Sequence, residues 1–352
     1  ATDLAHQLVF GTLDVRLKSL AELEKIGIMA VPVLKDFITD SNPIIREAAM
    51  EGLAEAGGIR IVGILEKHLE NEKDTDVVHT ILRLLGDIRS RRGLTVLKGY
   101  LSHSNEDLVI VALKSIARIG SKSVSADIRE CLKDERWRIR AVALETIGKL
   151  ELSDLGDAVE ETLTDQDEFV RNQAVNTLAM LKNKAAAGKL KELFVKEDNL
   201  KAPIIRAYGR MDLTLPDSFV KDLKDVGPDI LLSVIDALDD CDSAGLKVAK
   251  EFVGHESLDV ACAAIRFIGV EGMKYPEYQT LIAGILEEGE RECVLAALES
   301  MSISRSIVPR FQLDLWRREA EKNEESTTPR PSAEVQDVFD AFLEEDPSAQ
   351  PE

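Results

Sequence analysis

The amino-acid sequence predicts an all-α fold, a right-handed α-solenoid in which about ten helix pairs stack side by side. Three observations predict it. An apolar pattern recurs about every 31 residues along the chain. Within each copy the apolar positions fall on one face of a helix. Only 5% of the 352 residues are aromatic, a composition that suits packed layers of Leu, Ile, Val and Ala better than a thick globular core.

The recurring segment itself predicts one of the two helices of each repeat, here called helix B, which follows helix A within the unit. Its first, sixth and ninth residues are apolar, as in IREAAMEGLAEAG from Ile45 and IRAVALETIGKL from Ile139. These positions share one face of a helix with 3.6 residues per turn. The fifth residue is often alanine, which lets a neighbouring helix approach closely. The ninth residues are Leu23, Leu53, Leu85, Ile116, Ile147, Leu178, Tyr208, Leu238, Ile268 and Met301.

A second amphipathic helix, helix A, is predicted between consecutive B segments. Examples are residues 30–38, 93–101, 125–132 and 188–195. Polar turns separate the two helix types, such as the Asp-Ser-Asn-Pro run that begins at Asp40. Because one helix pair cannot bury its apolar face alone, neighbouring pairs must stack on each other.

The repeats resemble the HEAT family in its shorter prokaryotic form, which is related to phycobilisome-lyase repeats. The family string Asp-x-x-x-x-Val/Ile-Arg-x-x-Ala-x-x-x-Leu-Gly is similar to DERWRIRAVALETIG at 134–148 and to DQDEFVRNQAVNTLAML at 167–181. The resemblance implies that the arginine at the second position ties its turn to an aspartate of a neighbouring repeat. Repeats three, four and eight to ten lack this arginine, so the resemblance does not imply the same polar contact with a neighbouring repeat for them. It is present at Arg16, Arg46, Arg140 and Arg171.

The repeat pattern divides the chain into four segments. Residues 1–303 are predicted to form the solenoid, and residues 304–322 a C-terminal capping helix. Residues 323–333 predict a disordered linker, since they are polar and contain proline. Residues 334–352 predict an acidic tail with a short amphipathic helix, a candidate for helix-in-groove docking. The apolar stripe of that docking helix consists of Val335, Val338, Phe339, Phe342 and Leu343.

The overall charge disfavours binding to nucleic acid or membranes. The chain has 44 Lys and Arg against 64 Asp and Glu, a formal net charge of −20. Both ligands require a basic surface on the protein, and no run of about 18 apolar residues indicates a membrane span. The four cysteines do not suggest a disulfide framework. We therefore expect a cytoplasmic protein.

Sequence motifs for catalysis are not found. The chain has no GxGxxG, GxxxxGK[ST], GxSxG or HExxH string. His255 and Glu256 are a lone His-Glu pair, whereas the HEAT-type di-iron hydroxylases need several such pairs facing one another. We expect a non-enzymatic protein-protein interaction scaffold without a cofactor or a metal. The resemblance implies one alternative, a lyase-like or client-modifying accessory protein.

Basic residues on and beside the B helices are the candidate partner-binding residues. The seventh position of helix B projects away from the core, and basic side chains there and one turn later predict a mildly basic stripe. A second basic cluster follows one helix B. A solvated surface and compensation of helix dipoles are the alternative explanation. We expect protein partners, among them an acidic peptide or helix or the chain's own tail. The candidates are Arg83, Arg89, Arg91, Arg92, Lys114, Arg118, Lys149, Arg206, Arg210 and Arg266.

Overall fold

The computed structural model of the chain describes residues 11–304 together with Leu4 and Gln7. Across these residues the chain is helical and contains no β-strand, so the predicted all-α repeat fold is confirmed. The predicted capping helix beyond Ser304, the linker and the tail lie outside the described residues.

The α-helices alternate between the two predicted types, so odd-numbered helices are B helices and even-numbered helices are A helices. The B helices are α1 (Leu13–Ile26), α3 (Pro43–Gly57), α5 (Thr75–Asp87), α7 (Glu106–Ile119), α9 (Trp137–Leu150), α11 (Glu168–Met180), α13 (Lys201–Arg210), α15 (Pro228–Ala237), α17 (Leu258–Glu271) and α19 (Arg291–Ser304). The A helices are α2 (Val31–Phe37), α4 (Val62–Leu69), α6 (Gly93–Gly99), α8 (Ser125–Cys131), α10 (Gly156–Glu161), α12 (Ala187–Lys196), α14 (Asp217–Leu223), α16 (Asp242–Lys250) and α18 (Pro276–Glu288). Short 3-10 helices flank several of them: Gly27–Ala30, Gly58–Ile61, Lys122–Val124, Ser153–Leu155, Thr162–Thr164, Lys184–Ala186, Asp198–Leu200 and Leu238–Cys241.

The chain divides into two compact units, Ala1–Asn183 and Lys184–Glu352. In the first unit each B helix contacts the next one, from α1 through α3, α5, α7 and α9 to α11. In the second unit α13, α15, α17 and α19 follow the same rule. This succession of neighbour contacts is the packing expected of helix-pair repeats.

The repeating apolar positions form the core of each unit. Of the ninth-position residues, Leu53, Leu85, Ile116, Ile147, Leu178, Leu238 and Ile268 have no exposed surface, and Tyr208 is buried as well. The fifth-position alanines are also fully buried, at Ala49, Ala112, Ala143, Ala174, Ala264 and Ala297. The side chains of Leu23 and Met301 lie outside the described residues.

Four B helices of the first unit begin with side-chain caps in the turns that follow the A helices. The side chain of Asn42 accepts a hydrogen bond from the backbone N–H of Ile44 at the start of α3. Asp74, Asn105 and Asp167 cap α5, α7 and α11 in the same way. Such caps satisfy backbone N–H groups that have no partner within the helix, so the polar turns define where these four helices start.

The second-position arginine ties consecutive repeats, as the resemblance implies. The Arg46 guanidinium on α3 donates to both carboxylate oxygens of Glu72, at 2.9 and 3.0 Å. It also donates to the backbone carbonyl of Asp40 at 2.9 Å. The acceptor in the neighbouring repeat is here a glutamate rather than the aspartate of the family pattern, and one side chain links the turn before α3 to the turn before α5.

Repeat four lacks that arginine but is tied from the following repeat. The Arg136 guanidinium donates to the backbone carbonyls of His103 and Ser104, at 3.2 and 2.9 Å. Arg138 donates to the Glu106 carboxylate at 3.1 Å. These two repeats are therefore connected. The donors are Arg136, just before α9, and Arg138, in the first turn of α9, rather than a residue at the second position of α7.

Candidate functional site

A surface groove of about 530 Å³ lies along α5 and α7. Three of the ten candidate residues line it, namely Arg83 on α5 and Lys114 and Arg118 on α7. The other residues that line the groove are Thr75, Asp76, His79, Asp107, Leu108, Ile110, Val111 and Arg138. The structure thus brings together three residues from separate parts of the predicted stripe.

The repeat pattern explains why these side chains meet. Arg83 and Lys114 occupy the seventh position of consecutive B helices, and these helices pack side by side. Arg118 is four residues after Lys114, and His79 is four residues before Arg83, so each pair lies on one helix face. The sequence prediction missed His79, although this spacing from Arg83 is the signal that would have identified it.

The floor of the groove is apolar. Leu108, Ile110 and Val111 line it with only 4%, 8% and 5% of their surfaces exposed. They come from the first half of α7, where the helix faces α5. Their small remaining exposure means that the groove offers a shallow apolar strip beside the basic side chains.

The arginines of the groove are paired with carboxylates. Arg83 donates to Glu51 on α3 and to Asp87 on its own helix, the latter at 3.1 Å. Arg118 lies 3.2 Å from the other carboxylate oxygen of Asp87, so Asp87 bridges the two arginines. The stripe that the sequence predicts as mildly basic is therefore a row of alternating charges across α3, α5 and α7.

Lys114 differs from its two basic neighbours. It is exposed, and it forms no ion pair with any residue that the structure describes. An exposed ammonium group without a carboxylate partner keeps all three of its N–H donors available to a ligand. Lys114 is thus the uncompensated positive charge beside the apolar strip.

The other end of the groove carries acidic residues. Asp76 and Asp107 lie in the first turns of α5 and α7, where carboxylates stabilise the positive ends of the helix dipoles. Arg138 on α9 is 3.1 Å from Glu106 and 3.5 Å from Asp107. The two ends of the groove therefore differ in charge. Acidic residues lie near the helix starts, and basic residues lie towards the helix ends.

The arginines after α5 do not form one surface. Arg92 donates to Glu66 on α4 at 2.8 Å. Arg91 lines a second cavity of about 500 Å³ together with Leu94, Thr95, Lys98, Ser121, Lys122 and Ser123. Arg89 is exposed and takes a left-handed backbone conformation with φ of 53°. The cluster that stands out in the sequence is thus divided between neighbouring repeats.

The remaining candidates lie away from the groove. Lys149 pairs with Glu145 on its own helix, at 2.5 Å. In the second unit, Arg210 lies 3.4 Å from Asp240. In the same unit Arg266 lies 3.1 Å from Glu299, and Arg206 is half-buried.

Three of the buried thiols, Cys131, Cys241 and Cys293, are poor nucleophiles. Burial raises the pKa of the Cys131 and Cys241 thiols to about 12 and that of Cys293 to about 11. A thiol with such a pKa stays protonated at neutral pH and does not act as the thiolate that attack or metal binding requires. Over residues 11–304, no group of three or more His, Cys, Asp or Glu side chains is placed to hold a metal ion. None of the helices described is long and apolar enough to cross a membrane.

Comparison with protein families supports the repeat assignment. The family model described as HEAT repeats matches residues 62–148 and again 125–208. These two matches confirm the resemblance seen in the sequence, and they include every residue of the groove. No curated protein matches the chain.

Several solved structures are similar to this chain at low sequence identity. The Escherichia coli protein YibA is 20% identical, with a TM-score of 0.51 over 68% of this chain and 91% of that chain. An engineered protein is 17% identical with a TM-score of 0.40, covering 97% of each chain. The CpcE–CpcF complex of phycocyanin lyase from Nostoc is 14% identical with a TM-score of 0.40, over 89% of this chain and 94% of that chain. At 20% identity, the similarity to YibA concerns the fold.

Proposed function

We propose that this chain, whose residues 62–208 are HEAT repeats, is a non-enzymatic scaffold that binds a protein partner through the groove between α5 and α7. The occupant we propose is an acidic amphipathic helix or peptide. The observation that carries the proposal is Lys114, an exposed cation without an ion-pair partner among the described residues that lies beside an apolar strip.

The apolar strip gives the partner a place for its own apolar face. Amphipathic helices bind in grooves through apolar residues spaced three and four positions apart. Leu108, Ile110 and Val111 extend over about one helical turn, which suits two such anchors. Because the strip is shallow, we expect modest affinity from apolar contact alone.

The charges of the groove select an acidic partner. A carboxylate on the partner can bind Lys114 directly, and a second one can replace Asp87 beside Arg118. That exchange costs little free energy because Arg118 and Asp87 are 43% and 42% exposed, and exposed ion pairs contribute little stability. Charge complementarity of this kind gives specificity and speeds association more than it strengthens binding.

The difference in charge between the two ends of the groove also constrains the partner. Asp76 and Asp107 near the helix starts repel carboxylates, so the acidic residues of the partner should lie at the end near Arg118. A partner helix whose acidic residues are confined to one end fits this distribution better than one that is acidic throughout.

The test is co-purification with matched charge variants. The full-length chain is used as bait in a lysate, and bound proteins are quantified by mass spectrometry for the wild type, Lys114→Glu and Lys149→Glu. Both variants exchange one exposed lysine of a B helix for glutamate, but only Lys114 lines the groove. We expect at least one bound protein to fall about tenfold or more with Lys114→Glu and to be retained with Lys149→Glu.

A synthetic peptide from that bound protein then tests the chemistry. It should contain an amphipathic segment with acidic residues at one end, and its affinity should fall when those residues are changed to glutamine. Equal effects of the two lysine variants would contradict the proposal. Incubation of the purified chain with tetrapyrroles, read by absorbance, tests the alternative of a lyase-like accessory protein.

A further inference from the structure

An exposed pair of aromatic rings lies at the start of two consecutive B helices in the first unit. Trp137 is the first residue of α9 and Phe169 is the second residue of α11. Their rings stack with centroids 5.5 Å apart and an interplanar angle of 27°. Trp137 is 42% exposed and Phe169 is 69% exposed, so this pair is not part of the core.

Another stacked aromatic pair, in the second unit, is buried. Phe194 and Phe219 also stack, but they have no more than 1% of their surfaces exposed. Burial of apolar surface explains the Phe194–Phe219 pair. It does not explain the pair of Trp137 and Phe169, whose rings keep much of their surface exposed to solvent. Exposed aromatic residues of this kind are enriched where proteins bind partners.

Two exposed acidic residues adjoin the ring residues in the sequence. Glu135 lies two residues before Trp137, and Glu168 directly precedes Phe169; both are exposed. Neither carboxylate forms an ion pair with a residue that the structure describes. We call Trp137, Phe169, Glu135 and Glu168 the aromatic-acidic patch.

The cations near the patch already have partners. Arg136 pairs with Asp134 at 2.8 Å. Arg138, the exposed neighbour of Trp137, pairs with Glu106 and Asp107. The nearby basic side chains are thus engaged elsewhere, and the negative charge of Glu135 and Glu168 is left for a ligand.

We propose that the aromatic-acidic patch binds an arginine-containing basic segment of a protein partner. A guanidinium group is planar and stacks on aromatic rings, and its attraction to a ring face is strongest for tryptophan. The same group donates paired hydrogen bonds to a carboxylate, which Glu135 or Glu168 supplies beside the rings. The patch differs in charge and position from the groove of the proposed function, so the two proposals stand or fall separately.

The test reads binding from Trp137 itself. The chain has two tryptophans, and Trp316→Phe in the full-length chain leaves Trp137 as the single tryptophan. The probes are capped hexapeptides that alternate glycine with arginine, lysine or glutamate, titrated to about 5 mM at physiological ionic strength. We expect a saturable change in fluorescence with the arginine peptide, binding of the lysine peptide about fivefold or more weaker, and no change with the glutamate peptide.

Substitutions in the same background assign the site. Phe169→Ala should weaken binding of the arginine peptide by about fivefold or more, and so should the double change Glu135→Gln and Glu168→Gln. The double change leaves the rings in place, so it reports on charge without disturbing packing. As a matched control, Asp157→Asn with Glu161→Gln removes two exposed acids from α10 and should leave the affinity unchanged.

Three results would overturn the proposal. One is the absence of saturable binding over the whole titration. Another is an equal loss in the α10 control, which would mean that the acidic chain attracts the peptide without a specific site. The third is a dimer in sedimentation experiments that Phe169→Ala abolishes, because the patch would then bind a second copy of this chain.

Discussion

Arg140 on α9 and Asp165 in the turn before α11 form a bidentate ion pair. Nε of Arg140 lies 2.7 Å from Oδ2 of Asp165, and Nη2 lies 2.7 Å from Oδ1. The two side chains are only 7% and 10% exposed. Nη1 of the same guanidinium donates to the carbonyls of Asp134 and Glu135, at 2.8 and 3.0 Å, so a single side chain joins two consecutive turns.

We predict that Arg140→Ala lowers the free energy of unfolding by about 3–5 kcal/mol, because it removes the guanidinium that binds both oxygens of the buried Asp165 carboxylate. Arg138→Ala is the control. Its side chain is 47% exposed and pairs with Glu106, so the loss should stay below about 1 kcal/mol. Urea unfolding followed by circular dichroism measures both. Similar losses for the two variants would mean that the buried tie does not stabilise the repeat stack.

The sequence predicted the contact made by Arg140, but it did not predict the alternating charges along the groove. The second-position arginine recurs in a family pattern, so Arg140 could be assigned a role from the resemblance alone. The seventh position specifies only that Arg83 projects away from the core. Its pairing with Glu51 depends on how two B helices align, and that alignment follows from packing rather than from the apolar pattern.

The aromatic-acidic patch was missed for a related reason. Trp137 lies two residues before the first position of its repeat, whereas Phe169 lies one residue before it. A search for equivalent positions therefore does not pair them. Their contact arises because the rings extend sideways across the boundary between repeats, and only coordinates show that. Most core residues were predicted correctly because burial repeats with the helix period, but Val15, at the first position of the first repeat, is 37% exposed.

Acid should weaken the native fold partly through Glu72. Burial raises the pKa of its carboxyl, but hydrogen bonds from Arg46, His68 and the backbone N–H groups of Lys73 and Asp74 outweigh burial and lower the pKa from 4.5 to about 2. Because the pKa is lower in the folded chain, the ionised carboxylate stabilises the fold above about pH 4.5. That contribution disappears as the pH falls through the folded-state value.

We therefore predict that Glu72→Gln lowers the melting temperature at pH 7, and that the difference from the wild type shrinks between about pH 4.5 and pH 2. Thermal unfolding over this pH range measures the difference. Asp134 and Asp165 also have lowered pKa values, so both proteins lose stability in acid and only the difference reports on Glu72. A difference that stays constant with pH would show that the ionisation of Glu72 is not involved.

Close contact between B helices should make one glycine essential. A Cβ atom at Gly86 on α5 would lie 2.6 Å from Cβ and 2.7 Å from Cα of Ser115 on α7. We predict that Gly86→Ala costs about 1–3 kcal/mol of unfolding free energy, because it forces the helices apart. Gly188→Ala on α12 is the control, since no neighbouring atom lies within 4 Å of a Cβ there. It should be neutral or stabilise by up to about 1 kcal/mol. Equal responses to the two changes would exclude a packing effect at Gly86.

The acidic tail has a candidate docking surface in the second unit. The docking helix that the sequence predicts there, with the stripe Val335 to Leu343, would be too short to be stable alone in water. On α13 and α17, Arg210 and Arg266 are engaged by Asp240 and Glu299. Arg206 on α13 forms no ion pair with a described residue. A tail carboxylate would therefore bind Arg206 with the least competition.

We predict that deleting residues 324–352 increases amide hydrogen exchange on α13, α15 and α17, because a docked tail would slow local opening of these helices. Deleting only residues 347–352 keeps the docking helix and should leave the exchange unchanged. Arg206→Glu in the full-length chain should reproduce the effect of the longer deletion by repelling the acidic helix. If exchange on the three helices is the same with and without the tail, the docking helix does not bind its own chain. The apolar stripe would then be available to a separate partner, or the tail would serve only to keep the chain in solution.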